Sequence, residues 1–147
     1  MSEYSTLKQR HQQEVNDFPF FFAFSNEQFE EGMARFGLTP NDTNKIYKYG
    51  STGGFYLRTD APRLREMCDR HEKERQEAID ADTKGNGYIY QMFLYELANH
   101  EYGYTGDVSD TLDALGLTAE EVADSKPLSH GLNKAIKEIR KRESNAY

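Results

Sequence analysis

The sequence predicts an α+β fold, a small three-stranded antiparallel sheet followed by a mainly helical C-terminal half. Three observations carry that reading. Apolar residues in the first sixty positions gather in short aromatic runs, near 19–24, 44–49 and 55–59, of the length strands prefer. The last two runs are joined by Gly50-Ser51-Thr52-Gly53-Gly54, a hairpin connection. Beyond Asp60 the apolar residues recur at helical spacing instead.

The elements follow in order. Residues 3–16 read as a polar surface helix with few apolar anchors, Leu7 and Val15, and Asp17-Phe18-Pro19 breaks it. Phe20–Phe24 is a continuous aromatic run, short enough for a strand buried on both faces. Ser25 caps the next helix while Gln28, three residues on, reaches back. Phe29, Met33 and Phe36 then keep helical spacing, and Gly37 stops the helix. After the hairpin, Asp60 and Pro62 open a long helix to about Ala81, with Leu64, Met67, Cys68, His71, Ala78 and Ile79 along one stripe. The segment 88–102 is apolar nearly all round, which places its helix at the centre of a core. Residues 107–115 form a short helix ended by Gly116. Thr118-Ala119-Glu120-Glu121 is a capping box for another that ends before Pro127. Leu128, Leu132, Ala135, Ile136 and Ile139 mark a final amphipathic helix with a basic outer face.

The chain is 147 residues long, which fits one domain over 1–147. Ten Tyr and nine Phe argue for a packed core and against disorder. Its one cysteine, Cys68, excludes an internal disulfide and fits a reducing compartment. The first ten residues hold no apolar run that reads as a signal peptide. The longest apolar stretch, around Phe18–Phe24, is too short to span a bilayer. A net charge of −7 disfavours general attraction to nucleic acid or anionic lipid.

Several motifs suggest chemistry and fall short of it. Asp80-Ala81-Asp82-Thr83-Lys84-Gly85 begins like a calcium-binding EF-hand loop, but its fifth position is the cation Lys84 and its twelfth is Gln91 in place of a bidentate Glu. A solvated helix end and turn explains it better. His71-Glu72 and His100-Glu101 lack the second His of a zinc-protease helix, and no metal ligand set is expected. His71 lies on an apolar stripe and reads as a hydrogen-bonded core histidine. Gly50–Gly54 lacks the Gly-Lys-Ser/Thr ending of a phosphate loop, and a hairpin turn accounts for its glycines. Glu96 and His100 stand one turn apart on the most apolar helix. A carboxylate orienting an imidazole is how a general base is tuned, yet such helix pairs are also plain structural contacts. Nothing in the sequence supplies a nucleophile or cofactor loop beside them. Residues 110–124 resemble a helix-turn-helix, but Glu120, Glu121 and Asp124 would oppose DNA phosphates.

One charge anomaly remains. Between Lys84 and Lys126 there is no Lys or Arg, while Glu96, Glu101, Asp107, Asp110, Asp113, Glu120, Glu121 and Asp124 all fall there. The chain then turns basic, with Lys126, Lys134, Lys137, Arg140, Lys141 and Arg142. Acidic helix starts and a basic helix end complement their macrodipoles, and the two halves can neutralise each other in the fold. The alternative is a Tyr-rich acidic face that docks on a basic partner, since Tyr favours interfaces and charge complementarity sets partner choice.

The segments FFAFSNEQFEEGMARFGL (21–38) and YELANHEYGYTGDVSDTLDALGLTAEEV (95–122) resemble short uncharacterised proteins encoded by phages and mobile elements of gut Firmicutes. The resemblance runs over most of the chain and carries no activity. It implies a bacterial host cytoplasm and, by analogy with small acidic inhibitors of defence nucleases, an accessory protein acting on host machinery. The expectation is therefore a non-enzymatic protein-binding accessory protein, an inhibitor of a host nucleic-acid-binding or defence system. Its partner is expected to be a basic surface of a bacterial or phage protein, with no direct nucleic acid, membrane, cofactor or metal. The expected contact residues are Tyr102, Tyr104, Asp107, Asp110, Asp113, Glu120, Glu121 and Asp124. The alternatives are a small enzyme using Glu96 and His100 as an acid–base pair, and a DNA reader at 110–124.

Overall fold

Aromatic runs and helical stripes become strands and helices in the order expected. The computed structural model describes residues 2–146, the side chains of Tyr104 and Ala146 excepted. Its first half holds α1 (Glu3–Asp17), β1 (Phe21–Phe22), α2 (Asn26–Arg35), β2 (Ile46–Tyr49), β3 (Gly54–Leu57) and α3 (Ala61–Ala81). The second half holds α4 (Tyr88–Asn99), α5 (Tyr102–Thr105), α6 (Ser109–Leu115), α7 (Ala119–Ala123) and α8 (Lys126–Ala146). The fold class is α+β. The chain divides into two compact units, residues 12–72 and residues 1–11 with 73–147.

In the unit 12–72 the sheet has the order β1-β3-β2, both pairings antiparallel. Phe21 pairs with Phe55, and strand alternation puts Phe21, Phe55, Leu57 and Ile46 on one face. α2 covers that face, its Met33 fully enclosed and Phe29 and Phe36 packed beside it. A Cβ at Gly32 would stand 2.1 Å from the Phe21 ring, so only glycine lets α2 lie on that ring. Ser25 caps α2 as expected, accepting from the Gln28 N–H, but Gln28 reaches back to the Phe24 N–H at 2.7 Å. Gly37, at φ 73°, closes a Schellman turn in which the Leu38 N–H bonds the Met33 carbonyl at 2.9 Å.

Two expectations need correction in this unit. The aromatic run is not a strand buried on both faces. Only Phe21 and Phe22 pair, because Pro19 has no N–H to give and Ser25 already turns the chain into α2. α2 covers one face, and on the other Phe20, Tyr49 and Tyr56 pack against Phe18, Leu64 and Met67, while Phe22 stays 48% and Phe24 78% exposed. Cys68 is also exposed, at the margin of a stripe whose buried members are Leu64, Met67 and His71.

In the other unit α4 is the centre, as its all-round apolarity predicts. Ile89, Met92, Phe93 and Leu97 are sealed from solvent, with Tyr102, Leu112, Val122, Leu128, Ala135 and Ile139 around them. α8 comes so close that a Cβ at Gly131 would stand 2.5 Å from Ile89 and 2.9 Å from the Gly85 carbonyl oxygen. α1 is not the purely surface helix its polarity suggests: it buries Tyr4 and His11. The helix expected over 88–102 breaks after Asn99. Glu101 takes a left-handed conformation (φ 56°) and α5 starts anew.

Candidate functional site

The acid–base pair lies inside the helical unit. Glu96 is 3% exposed, and such a carboxylate must be compensated. Its Oε1 accepts from the Tyr4 hydroxyl at 2.5 Å and from Lys8 Nζ at 2.7 Å, and its Oε2 lies 3.4 Å from His100 Nε2. Burial works to raise its pKa, but the bonds from Lys8 and Tyr4 and the Lys8 charge outweigh it and hold the carboxyl below its usual range. Burial, followed by the bond to Glu96, pushes the Tyr4 phenol up. Lys8 also lies 4.9 Å from the Tyr95 ring, in cation–π contact. Glu96 thus behaves as an anchor for α1 on α4. An open cleft in the same unit is lined by Glu3, Leu7, Arg10, Glu74 and Ala78, and neither Glu96 nor His100 borders it.

The other sequence motifs resolve into structural tasks. The carboxylate of Asp82 accepts from the backbone N–H groups of Gly85, Gly87 and Ile89 at 2.9–3.0 Å, tying down the turn that starts α4. Asp80 accepts from Gln76. Both carboxylates of the calcium-like loop are so engaged, and among the described residues no group of His, Cys, Asp or Glu could hold a metal ion. His71 is buried and its Nε2 lies 3.1 Å from Glu14, as a core histidine should. The Arg70 guanidinium, then His71, holds the Glu14 carboxyl down at about 2. The helix-turn-helix pattern gives a second helix, α7, of five residues, its start closed by the Thr118–Glu121 capping box.

The acidic segment is where charge is left over. Glu101, Asp107, Asp110, Asp113, Glu120, Glu121 and Asp124 are all exposed. Asp107 accepts from the Ser109 N–H, which lowers its pKa, and Glu121 serves the capping box. Asp110 and Glu120 sit in first turns, where the helix dipole favours them. Among the described residues none of the seven makes an ion pair. Three cations of α8 are used otherwise: Lys134 lies 4.3 Å from the Tyr90 ring, Arg140 donates to the Tyr102 hydroxyl and Arg142 pairs with Glu138. Among the described residues no ion pair joins the two charged segments.

The tyrosines part company. Tyr102 is 6% exposed, its ring in the core beside α4, so its side chain has little surface to offer. The reason is the break at Glu101, which turns α5 inward where a straight helix would have continued. The side chain of Tyr104 lies outside the described residues. Sequence reading also missed Tyr4 and Lys8. Tyr4, Leu7, His11 and Val15 keep helical spacing, and that stripe was the available signal.

Fold and site define a small α+β protein with an acidic, helix-borne surface segment. The chain belongs to a family of unknown function (DUF7659), which matches residues 3–138. No curated protein and no solved structure matches it. Among the described residues no helix is long and apolar enough to cross a membrane.

Proposed function

We propose that the protein is a non-enzymatic binding protein whose acidic segment, residues 101–124, docks on a basic surface of a protein partner. One observation carries this: seven exposed carboxylates in a stretch without Lys or Arg, none in an ion pair among the described residues. Solvated charge of one sign steers a partner of the opposite sign and selects against others. The contact residues are Asp107, Asp110, Asp113, Glu120, Glu121 and Asp124. Tyr102 is enclosed and is not among them. The resemblance to phage and mobile-element proteins extends this reading to an accessory factor in a bacterial cytoplasm that inhibits a host nucleic-acid-binding or defence protein.

The test is a charge reversal that spares the Thr118–Glu121 capping box. Asp113→Lys, Glu120→Lys and Asp124→Lys together leave Glu121 to its capping box. Wild-type chain on a resin is expected to retain basic proteins from a bacterial lysate at low salt and to release them as salt rises. The triple variant should lose them with its melting temperature nearly unchanged. Equal retention by wild type and variant would sink the docking segment.

A further inference from the structure

The turn between α3 and α4 carries chemistry that its structural task does not use. Of the chain's asparagines only Asn86 precedes a glycine, and Asn86 and Gly87 are both exposed. The side-chain amide of an asparagine is an electrophile one ring closure away from the next backbone nitrogen, so the two react as an intramolecular pair. Gly87 has no Cβ to screen that nitrogen.

The start of α8 brings a donor to the same place. Gly85 and Gly131 let turn and helix meet. A Cβ at Gly85 would collide with the Pro127 carbonyl oxygen, and one at Gly131 would crowd Ile89 and the Gly85 carbonyl. This close approach stations the exposed His130 over the turn, and its Nε2–H donates to Asn86 Oδ1 at 2.6 Å. The Gly87 N–H in turn donates to Asp82 Oδ2 at 3.0 Å. That proton lies in the peptide plane, whereas the nitrogen attacks from the face of the plane, so the bond to Asp82 does not occupy the line of attack. Electrophile, nucleophile, oxyanion donor and proton acceptor are thus gathered by one turn and one helix start.

We propose that Asn86 is a self-modifying site, deamidated by the fold through the Gly87 nitrogen, His130 and Asp82. The Gly87 nitrogen bonds to Asn86 Cγ while its proton passes to Asp82, the general base. His130 stabilises the negative charge that grows on Oδ1, as an oxyanion donor does. The bond from Cγ to the side-chain nitrogen then breaks, and that nitrogen takes the proton from Asp82 and leaves as ammonia. A succinimide ring remains. Water opens it at one carbonyl to aspartate or at the other to isoaspartate, and no other co-reactant is needed. Either product puts a new carboxylate into the turn where Asp82 holds the N–H groups of Gly85, Gly87 and Ile89. Isoaspartate also lengthens the main chain by one carbon. Ageing at this residue therefore loosens the start of α4, the helix around which the unit's core is built. The site lies outside the acidic segment and does not rest on the docking reading.

Peptide mapping by mass spectrometry, over days at neutral pH and fixed temperature, follows the conversion of Asn86 and separates isoaspartate from aspartate. The folded chain is expected to convert at least about tenfold faster than the same chain unfolded in guanidinium chloride, a modest share of what a general base and an oxyanion donor contribute. His130→Ala should slow the folded chain by about tenfold and leave the unfolded chain unchanged. Asp82→Asn, which still accepts hydrogen bonds but takes no proton, should slow it likewise. His130 is exposed, so its replacement leaves the fold intact, which circular dichroism verifies, and this variant decides the matter if Asp82→Asn unfolds. Converted chain, separated by ion exchange, should melt below fresh chain. A folded chain that converts no faster than the unfolded one, or a rate indifferent to His130→Ala, would overturn the proposal. An unchanged melting temperature after conversion would overturn its consequence for α4.

Discussion

The two compact units bury their apolar surface in opposite ways. Around α4, Phe93 and Leu97 are wholly enclosed by aliphatic and aromatic neighbours, and Tyr95 is the unit's one exposed large ring among the described residues. The sheet unit has too little backbone to enclose its rings. Three short strands and α2 seal Phe21, Met33 and Ile46, while Phe22, Phe24 and Tyr47 stay partly in water. The comparison teaches that a net charge of −7 is an average over unlike surfaces, a carboxylate-bearing stretch without cations and a cationic hairpin without carboxylates. Whole-chain charge says little about what either would attract.

The comparison breaks most easily at the cores. Phe93→Ala should cost about 3–5 kcal/mol and Met33→Ala about 2–5 kcal/mol in urea denaturation. A loss near zero at either would mean that core is loosely packed. Next comes the buried carboxylate. Glu96→Gln should cost about 1–3 kcal/mol, since a charge-assisted acceptor for Tyr4 and Lys8 is lost. Because the pKa of Glu96 is depressed in the fold, its contribution is present above the unfolded value of about 4.3 and lost as pH falls through the folded one. Denaturation midpoints taken from neutral to acid pH should therefore fall more steeply for wild type than for the variant. Tyr4 acts at the other end: its raised pKa adds stability below about pH 10 that is lost in alkali.

Smaller effects sharpen the contrast. Asp82→Ala should cost about 0.5–2 kcal/mol, as a lost helix cap does. A chelator should leave the wild-type melting temperature where it is, and a drop of many degrees would restore a metal role to the 80–91 loop. The smallest effect belongs to the acidic segment, where Asp113→Lys should move stability by no more than about 0.5 kcal/mol. A larger loss would tie that carboxylate to the fold and take it from the docking surface.

Much of this was legible in the sequence because local patterns carried it. Glycine-rich 50–54 between Tyr-bearing runs is a hairpin in any context, and Ser25, Gly37, Thr118 and Gly116 mark helix ends by local chemistry, side-chain caps at the starts and left-handed glycines at the stops. What failed depended on distant partners. Periodicity cannot say that only one face of the aromatic run receives α2, so a doubly buried strand was expected where Phe22 and Phe24 stay open. Nor can it show that Glu101 turns the chain inward and takes Tyr102 into the core. The pairing of Glu96 with His100 was visible as helix spacing, but its stronger bonds to Tyr4 and Lys8 join residues 92 and 88 positions apart. The stripe of Tyr4, Leu7, His11 and Val15 marks a buried face on α1, but spacing within one helix cannot name the distant carboxylate that face meets.

That last separation bears on how the chain is made. At about 5–20 residues per second, Glu96 leaves the ribosome roughly 4–18 s after Lys8. Through that interval Tyr4 and Lys8 lack the carboxylate they will bond. Residues 12–72 are contiguous, so the sheet unit has all its parts while the unit that begins the chain still awaits α4 and α8. The polarity that made α1 look like a surface helix then has a second use: a helix that must wait in water for its core is kept from sticking to anything else.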